Sequence, residues 1–271
     1  GFTSAQLGVM SGTQIGSFST TALANLSTVQ VGGLSAAQIG GLSTTAVNAL
    51  TTTAIANLST LQIGALSVAQ VANLNPGSFA ALSAGQLTGL SNAQVNALST
   101  TDLAVLSTTQ IGGLTGAQIG QLSSTQFNML ATYVVAQFDT AQIGGLSTTQ
   151  ITSLPVGDFQ VLSAAQLSEL SLTQTGYLNT TDLAVLTTSQ LGGFTAPQLG
   201  VLSGSQLGAF STTALADLST TQVGGLSAAQ VGGMSTTAIN ALTTTVIANL
   251  STLQIGGMSA AQLSNLSNFA A

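Results

Sequence analysis

Residues 218–265 read LSTTQVGG, LSAAQVGG, MSTTAINA, LTTTVIAN, LSTLQIGG and MSAAQLSN, which are six consecutive segments of eight residues. This unit, called an octad below, begins at Phe2 and repeats without insertion through 34 octads, the last of which starts at Leu266. Position 1 is always Leu, Met or Phe, position 2 is mostly Ser or Thr, and position 5 is Gln in 22 octads. A short fixed period of this kind is typical of proteins in which similar units stack on one another.

A longer period lies above the octad. Residues 1–79 match residues 193–271 closely, at an offset of 192 residues. We therefore interpret residues 1–271 as one continuous octad-repeat solenoid that contains slightly more than one unit of a larger tandem array.

The order of residues within the octad predicts one short helix per octad. Ser or Thr at position 2 and Gln at position 5 have the spacing of a capping box, in which each side chain accepts a hydrogen bond from the other residue's backbone amide. Position 1 and position 6 are then the hydrophobic pair that flanks a helix start. Gly or Asn at position 8 favours a left-handed cap after the last turn.

The prolines agree with this phase. Pro76 lies at the first helical position, which proline favours, and Pro197 lies in the first turn, whereas Pro155 replaces an N-cap residue. Asp139 is predicted to be an N-cap. Three further aspartates lie at N3, where a carboxylate stabilises a helix start: Asp102, Asp158 and Asp182.

The number of octads in one coil is inferred from position 8. Asn, Gln or Glu occurs there mainly in even-numbered octads, whereas odd-numbered octads tend to have smaller or apolar residues. This alternation predicts a coil of two octads. A coil of three octads is the competing arrangement, because the offset of the longer period is a whole number of coils in either case. The predicted fold is thus an all-α solenoid of single-turn helices, with a β-solenoid as the alternative.

Composition excludes several classes of function. The chain has no Lys, Arg, His or Cys, so we expect no nucleic-acid binding, no catalytic triad and no zinc, haem or iron–sulfur site. No apolar stretch is long enough for membrane insertion. The charged residues are all acidic: Asp102, Asp139, Asp158, Glu169, Asp182 and Asp217. We predict a protein that is not an enzyme, with no catalytic, cofactor-binding or metal residues and no cofactor.

Two kinds of local feature are weighed as sites. Sequons occur at Asn25, Asn57, Asn179, Asn249 and Asn265, but Asn before Leu and an N-cap Ser produces this motif automatically. The octads that depart most from the pattern are interpreted mainly as drift in a tolerant repeat, with a contact patch or kink as the alternative: LATYVVAQ from Leu130, LNPGSFAA from Leu74 and LPVGDFQV from Leu154.

The repeated motif LSxxQIGG resembles the long, low-charge Ser/Thr/Gln repeat regions of giant secreted bacterial surface and biofilm proteins. The resemblance implies secretion and a place at the bacterial cell surface or in an extracellular matrix. We expect a structural protein that forms a filament or surface fibre by head-to-tail stacking, with itself as partner. The alternatives are ice binding, suggested by Thr-rich runs such as residues 43–45 and 51–53, and an adhesin stalk.

Overall fold

The computed structural model describes residues 1–130 and 132–266, apart from the side chains of Thr132 and Tyr133. The chain divides into two compact units, Gly1–Leu130 and Ala131–Ala271. Their boundary falls inside the irregular octad that begins at Leu130. The proposed contact patch at Tyr133 and the last octad after Leu266 lie outside the described side chains and residues.

Every described element is a helix of four to six residues, and the described residues contain no strand. The first unit contains α1 (Ser4–Gly8), α2 (Gly12–Gly16), α3 (Thr20–Ala24), α4 (Thr28–Gly32), α5 (Ala36–Gly40), α6 (Thr44–Ala49), α7 (Thr52–Ala56), α8 (Thr60–Gly64), α9 (Val68–Ala72), α10 (Pro76–Ala80), α11 (Ala84–Leu87), α12 (Asn92–Asn96), α13 (Thr100–Ala104), α14 (Thr108–Gly112), α15 (Gly116–Gly120) and α16 (Ser124–Asn128).

The second unit continues the same pattern, with one helix per octad. It contains α17 (Thr132–Val135), α18 (Thr140–Gly144), α19 (Thr148–Ser153), α20 (Val156–Gln160), α21 (Ala164–Ser168), α22 (Leu172–Gly176), α23 (Thr180–Ala184), α24 (Thr188–Gly192), α25 (Ala196–Gly200), α26 (Gly204–Leu207), α27 (Thr212–Ala216), α28 (Thr220–Gly224), α29 (Ala228–Gly233), α30 (Thr236–Ala241), α31 (Thr244–Ala248), α32 (Thr252–Gly257) and α33 (Ala260–Ser264).

The helix starts confirm the all-α prediction and its phase. Wherever position 5 is Gln in the described residues, both bonds of the capping box are present. Pro76 lies in the first turn of α10, and Pro155 is an N-cap without a side-chain bond. Asp139 caps α18 through its carboxylate. The β-solenoid alternative is excluded.

The helix ends differ from the prediction, because no described residue has a positive φ. Gly113, at position 8, has φ −80° and ψ −15°, which is right-handed backbone open to any residue. The last turn is instead closed by the position 1 amide, which donates to the carbonyl three residues earlier. Leu50 makes this bond to Val47 at 3.1 Å and is itself extended, so its side chain can enter the core.

One coil contains three octads, so the prediction of a two-octad coil is wrong. α1 contacts α4, α2 contacts α5 and α3 contacts α6, and the same spacing continues within each unit. Equivalent helices therefore lie three octads apart in the sequence. The prediction from position 8 failed because Asn at this position binds within its own octad. Asn57 Nδ2, for example, donates to the Thr53 carbonyl at 2.7 Å. Such a bond says nothing about which octads face each other.

Positions 1 and 6 form the core of each unit. Ile63, Val95 and Leu199, at position 6, are fully buried, and Leu114 at position 1 is nearly so. Each of these side chains contributes roughly 1.5–3 kcal/mol through burial. The one polar residue at position 6, Thr175, is also buried and donates its hydroxyl to the carbonyl of Ser171 at 2.9 Å. Isolated single-turn helices are unstable in water, so this stacking is what maintains them.

Gly or Ala at several of positions 3, 7 and 8 allows successive coils to approach closely. A Cβ atom placed on Gly113 would lie 2.6 Å from the Cβ of Ala84 in the coil below. A Cβ atom on Gly64 would lie 2.6 Å from the carbonyl oxygen of Gly89 in the coil above. Glycine is needed at such positions for space between backbones rather than for its conformational freedom.

The neighbours Gly112 and Gly113 test this explanation. We expect Gly113→Ala to lower the free energy of unfolding by about 1–3 kcal/mol, because the added methyl group overpacks the contact with Ala84. Gly112 ends α14 and has no atom within 4 Å of an added Cβ, so Gly112→Ala should be neutral or stabilise by up to about 1 kcal/mol. Urea unfolding followed by circular dichroism measures both variants, and equal shifts would contradict the steric role.

Candidate functional site

The feature that recurs through both units is a set of hydrogen bonds made by the position 5 glutamines. Gln118 shows the arrangement: its Oε1 accepts from the amide of Thr115 at 2.8 Å, which completes the capping box of α15. Its Nε2 donates to the carbonyls of Leu87 at 3.0 Å and Leu90 at 2.7 Å, one coil earlier. We call the repeated set of these side chains the glutamine ladder.

The acceptors of the glutamine ladder are carbonyls at the corner between two successive helices, and the position 6 carbonyl also accepts from the next position 1 amide, as Leu87 does from Leu90. The carbonyl 31 residues earlier belongs to position 6, near the end of a helix, and the carbonyl 28 residues earlier belongs to the following position 1. Helix ends leave carbonyls that no amide of the same helix can reach. One carboxamide therefore satisfies an amide at the start of its own helix and carbonyls at the corner of the coil below.

Most glutamine side chains of the ladder are buried from solvent, which makes the pairing of their hydrogen-bond donors and acceptors important. Gln118 is 3 % exposed and Gln70 is 2 % exposed, although both are polar. A buried amide without partners costs several kcal/mol, whereas a paired one is close to neutral or favourable. The ladder therefore selects one spacing between coils, because any other register would leave buried donors and acceptors unpaired.

Octads without Gln at position 5 stack on one another. In the described residues they form runs in which each member lies three octads after the last, on helices that contact each other. The runs are Ala22 and Ala46; Ala54, Ser78 and Asp102; Val134, Asp158 and Asp182; Ala214 and Ala238; and Val246 alone. This spacing, readable from the sequence, distinguishes a coil of three octads from a coil of two.

Aspartates occupy three of these places, at N3 as predicted, but their surroundings differ. Asp102 Oδ2 accepts from both the amide and the hydroxyl of Ser99, at 2.9 and 2.7 Å. Asp158 Oδ1 and Asp182 Oδ2 are buried and have no hydrogen-bond partner. Burial raises the pKa of Asp182 to about 6, an effect that a hydrogen bond from the Asn179 backbone partly offsets.

The sequon residues serve the fold. The side chains of Asn25 and Asn249 donate to the carbonyls of Thr21 and Thr245, four residues earlier, at 2.9 and 2.8 Å. Asn57 and Asn265 make the same local bond, and Asn179 is instead the N-cap of α23. The hydroxyls of the described sequon serines, such as Ser27, cap the next helix. The Ser267 of the last sequon lies outside the described residues.

Among the described residues, no group of three or more acidic side chains is placed to hold a metal ion. In the same part of the chain no helix is long and apolar enough to cross a membrane. No residue was predicted as a catalytic, cofactor or metal site, and the arrangement that recurs through both units is the contact between coils. The sequence predicted one part of the glutamine ladder, the capping box, but not the hydrogen bonds to the coil below.

Replacing Gln118 by Glu tests the donor half of the ladder. The carboxylate retains an acceptor for Thr115 but faces the carbonyls of Leu87 and Leu90 without a donor, so we expect a loss of about 2–4 kcal/mol in unfolding free energy. Gln6→Glu is the matched control, because exposed Gln6 completes a capping box without an inter-coil bond in the described residues. Its expected change, measured at low protein concentration, is within about 0.5 kcal/mol. Equal losses would assign the effect to capping alone.

Comparison with known families supports a repeat protein. A family model described as the ALTTAQ repeat matches three segments of the chain, residues 47–76, 177–212 and 204–236. The six letters of that description fit the octad from position 8 to position 5 of the next, with Thr at the N-cap and Gln at N3. No curated protein sequence matches the chain. The three matched segments are thus similar to the ALTTAQ repeat, within a regular all-α solenoid architecture.

Proposed function

We propose that this chain is a structural protein whose coils stack, within and between molecules, to form an extracellular filament or bacterial surface fibre. The observation that carries the proposal is the direction of the glutamine ladder. Each coil directs Nε2 donors towards the coil before it and offers carbonyl acceptors to the coil after it, as Gln198 does with Leu167 and Leu170. An octad with Gln at position 5 can therefore bind a further coil of the same repeat.

A contact between two different faces that does not close on itself produces an open assembly. Contacts of this heterologous kind generate helical filaments when their rotation does not return to the starting subunit. Within each unit the contact recurs with the same residue offset from coil to coil. A further coil from another chain can use the same contact without any new recognition element.

Aromatic residues at equivalent places in the two copies of the long repeat show how much apolar surface a preceding coil covers. Phe2 and Phe18 stack with their ring centroids 5.6 Å apart, and Phe2 is 47 % exposed. The corresponding pair in the second copy of the long repeat is Phe194 and Phe210, which are 2 % and 3 % exposed beneath a preceding coil. Covering the first pair in the same way would bury apolar surface and stabilise the contact.

Composition supports an extracellular structural role rather than catalysis. The net charge of −6 over 271 residues gives little electrostatic repulsion between chains. The absence of Lys and Arg removes every cleavage site for trypsin-like proteases. The N-cap hydroxyls are already engaged with backbone amides, as Ser35 is with Gln38. The resemblance to secreted bacterial surface and biofilm repeats adds the proposed location.

Electron microscopy and sedimentation of the purified chain test the filament. We expect concentration-dependent fibres from the native sequence and only monomers from Gln6→Glu/Gln14→Glu, since the exposed side chains of these residues make no inter-coil bond in the described structure. Ala5→Glu/Thr21→Glu is the control: it adds the same charge at exposed position 4 and should still form fibres.

Two results would change the proposal. Only isolated monomers of the native chain at high concentration would contradict the filament and favour an adhesin stalk, which uses the same stacking within one molecule. Equal polymerisation of the Gln6→Glu/Gln14→Glu variant would show that the ladder does not direct assembly.

Ice binding is a second candidate, favoured by exposed threonines at position 4. Thr149 on α19 and Thr173 on α22 lie on stacked helices, but Pro197 interrupts the row on α25. An interrupted row of threonines is a poor template for ordered water. We expect no thermal hysteresis from the purified chain, and measurable hysteresis would favour the ice-binding function instead.

A further inference from the structure

The buried aspartates of two octads with nearly identical sequence have different hydrogen-bond partners. Residues 99–105 read STTDLAV and residues 179–185 read NTTDLAV, so that only the N-cap residue differs. Asp102 and Asp182 are 4 % and 1 % exposed, and both occupy N3 of a five-residue helix. The two aspartates thus share a local sequence, but they differ at the N-cap and in the coil below, where Ser78 precedes Asp102 and Asp158 precedes Asp182 by three octads.

Ser99 donates a side-chain hydrogen bond to its aspartate, and Asn179 does not. The Ser99 hydroxyl donates to Asp102 Oδ2 at 2.7 Å, in addition to the backbone amide. Asn179 has no hydroxyl, and its Oδ1 accepts from the backbone amide of Asp182 at 2.9 Å. Asp182 Oδ2 is consequently buried without any donor.

The place that Asp182 occupies calls for a donor rather than an acceptor. At this octad position a glutamine would direct its Nε2 amide to the carbonyls 28 and 31 residues earlier, which here belong to Leu154 and Ile151. An ionised carboxylate can only accept hydrogen bonds, whereas a protonated one has an O–H to donate. A negative charge at this place is therefore unfavourable.

We propose that Asp182 makes the stacking of α23 in the second unit dependent on pH, with the coil contact weaker at neutral pH and stronger in mild acid. The device needs only the replacement of a glutamine by an aspartate and of an N-cap serine by an asparagine. In the same local sequence, Asp102 Oδ2 accepts from both the amide and the hydroxyl of Ser99.

The helices packed against α23 contain one titratable side chain, on α20. α23 packs against α20 and α26. The titratable side chain of α20 is Asp158, also buried with an unpartnered oxygen, because its N-cap Pro155 has no amide to donate. α26 has no titratable side chain, and no positive side chain exists in the chain to compensate either carboxylate.

The direction of the effect follows from the raised pKa of Asp182, about 6 in the folded chain against an ordinary value of 3.8. The folded state binds the proton more tightly, so protonation favours folding. The stabilisation is fully present below about pH 4 and is lost as the pH rises through about 6. The corresponding change in the local folding equilibrium is roughly 10- to 100-fold.

Hydrogen exchange of the full chain tests the proposal at the level of α23. After correction for intrinsic exchange rates, protection of the α23 amides should fall roughly 10- to 100-fold between pH 4.5 and pH 8. Asn179→Ser supplies the missing hydroxyl and should abolish this dependence. Asp182→Asn removes the titrating group and should also give a flat profile. Amides of α13, whose sequence matches that of α23, are followed in the same sample as an internal reference.

Carbon NMR of the Asp182 carboxyl provides a second measurement that does not depend on the stability of any variant. A titration midpoint near 6 that moves down in Asn179→Ser supports the proposal. A midpoint near 4 in the native chain would overturn it, as would identical exchange profiles for the native chain and Asn179→Ser.

Discussion

The structure depends on a carboxamide that serves two coils at once. At position 5 the oxygen of glutamine completes a helix start, while its nitrogen binds carbonyls of the coil beneath, as in Gln62 with Ser59 and Leu34. Neither a carboxylate nor an ammonium group can do both, because one only accepts and the other only donates. This explains how a chain without a positive side chain, and with few negative ones, can bury so many polar residues.

The other positions of the octad serve the same contact. Large apolar residues at positions 1 and 6 supply the burial that single-turn helices need, because a helix of one turn is unstable by itself. Small residues at positions 3, 7 and 8 let the coils approach until the glutamine nitrogen reaches its carbonyls. Close approach and hydrogen bonding are thus coupled: a methyl group at Gly113 would separate the same surfaces that Gln118 joins.

The function that we propose depends on the contact between coils and on the interruptions of the ladder. The ladder has a direction, which suits assembly better than recognition of a small molecule. Its interruptions stack in runs, one of which contains Asp158 and Asp182. Each of these two aspartates has one buried oxygen without a hydrogen-bond partner in the described structure, so the pH response that we propose lies where the repeat pattern is broken.

Much of the local structure could be predicted from the sequence, since the Ser/Thr-x-x-Gln spacing, the positions of Pro76 and Pro155 and the apolar pair at positions 1 and 6 all act within one octad. Those local interactions determined that the chain forms short helices and where each begins. The octads without Gln recur at a spacing of three octads, but only the tertiary structure showed that this spacing is one coil, that glutamine nitrogens bind the coil below, and that Asp182 has a buried oxygen without a partner. The reason is physical, because these features depend on contacts between atoms of different coils. The Asn side chains at position 8 bind within their own octad, so position 8 does not indicate which coils are in contact.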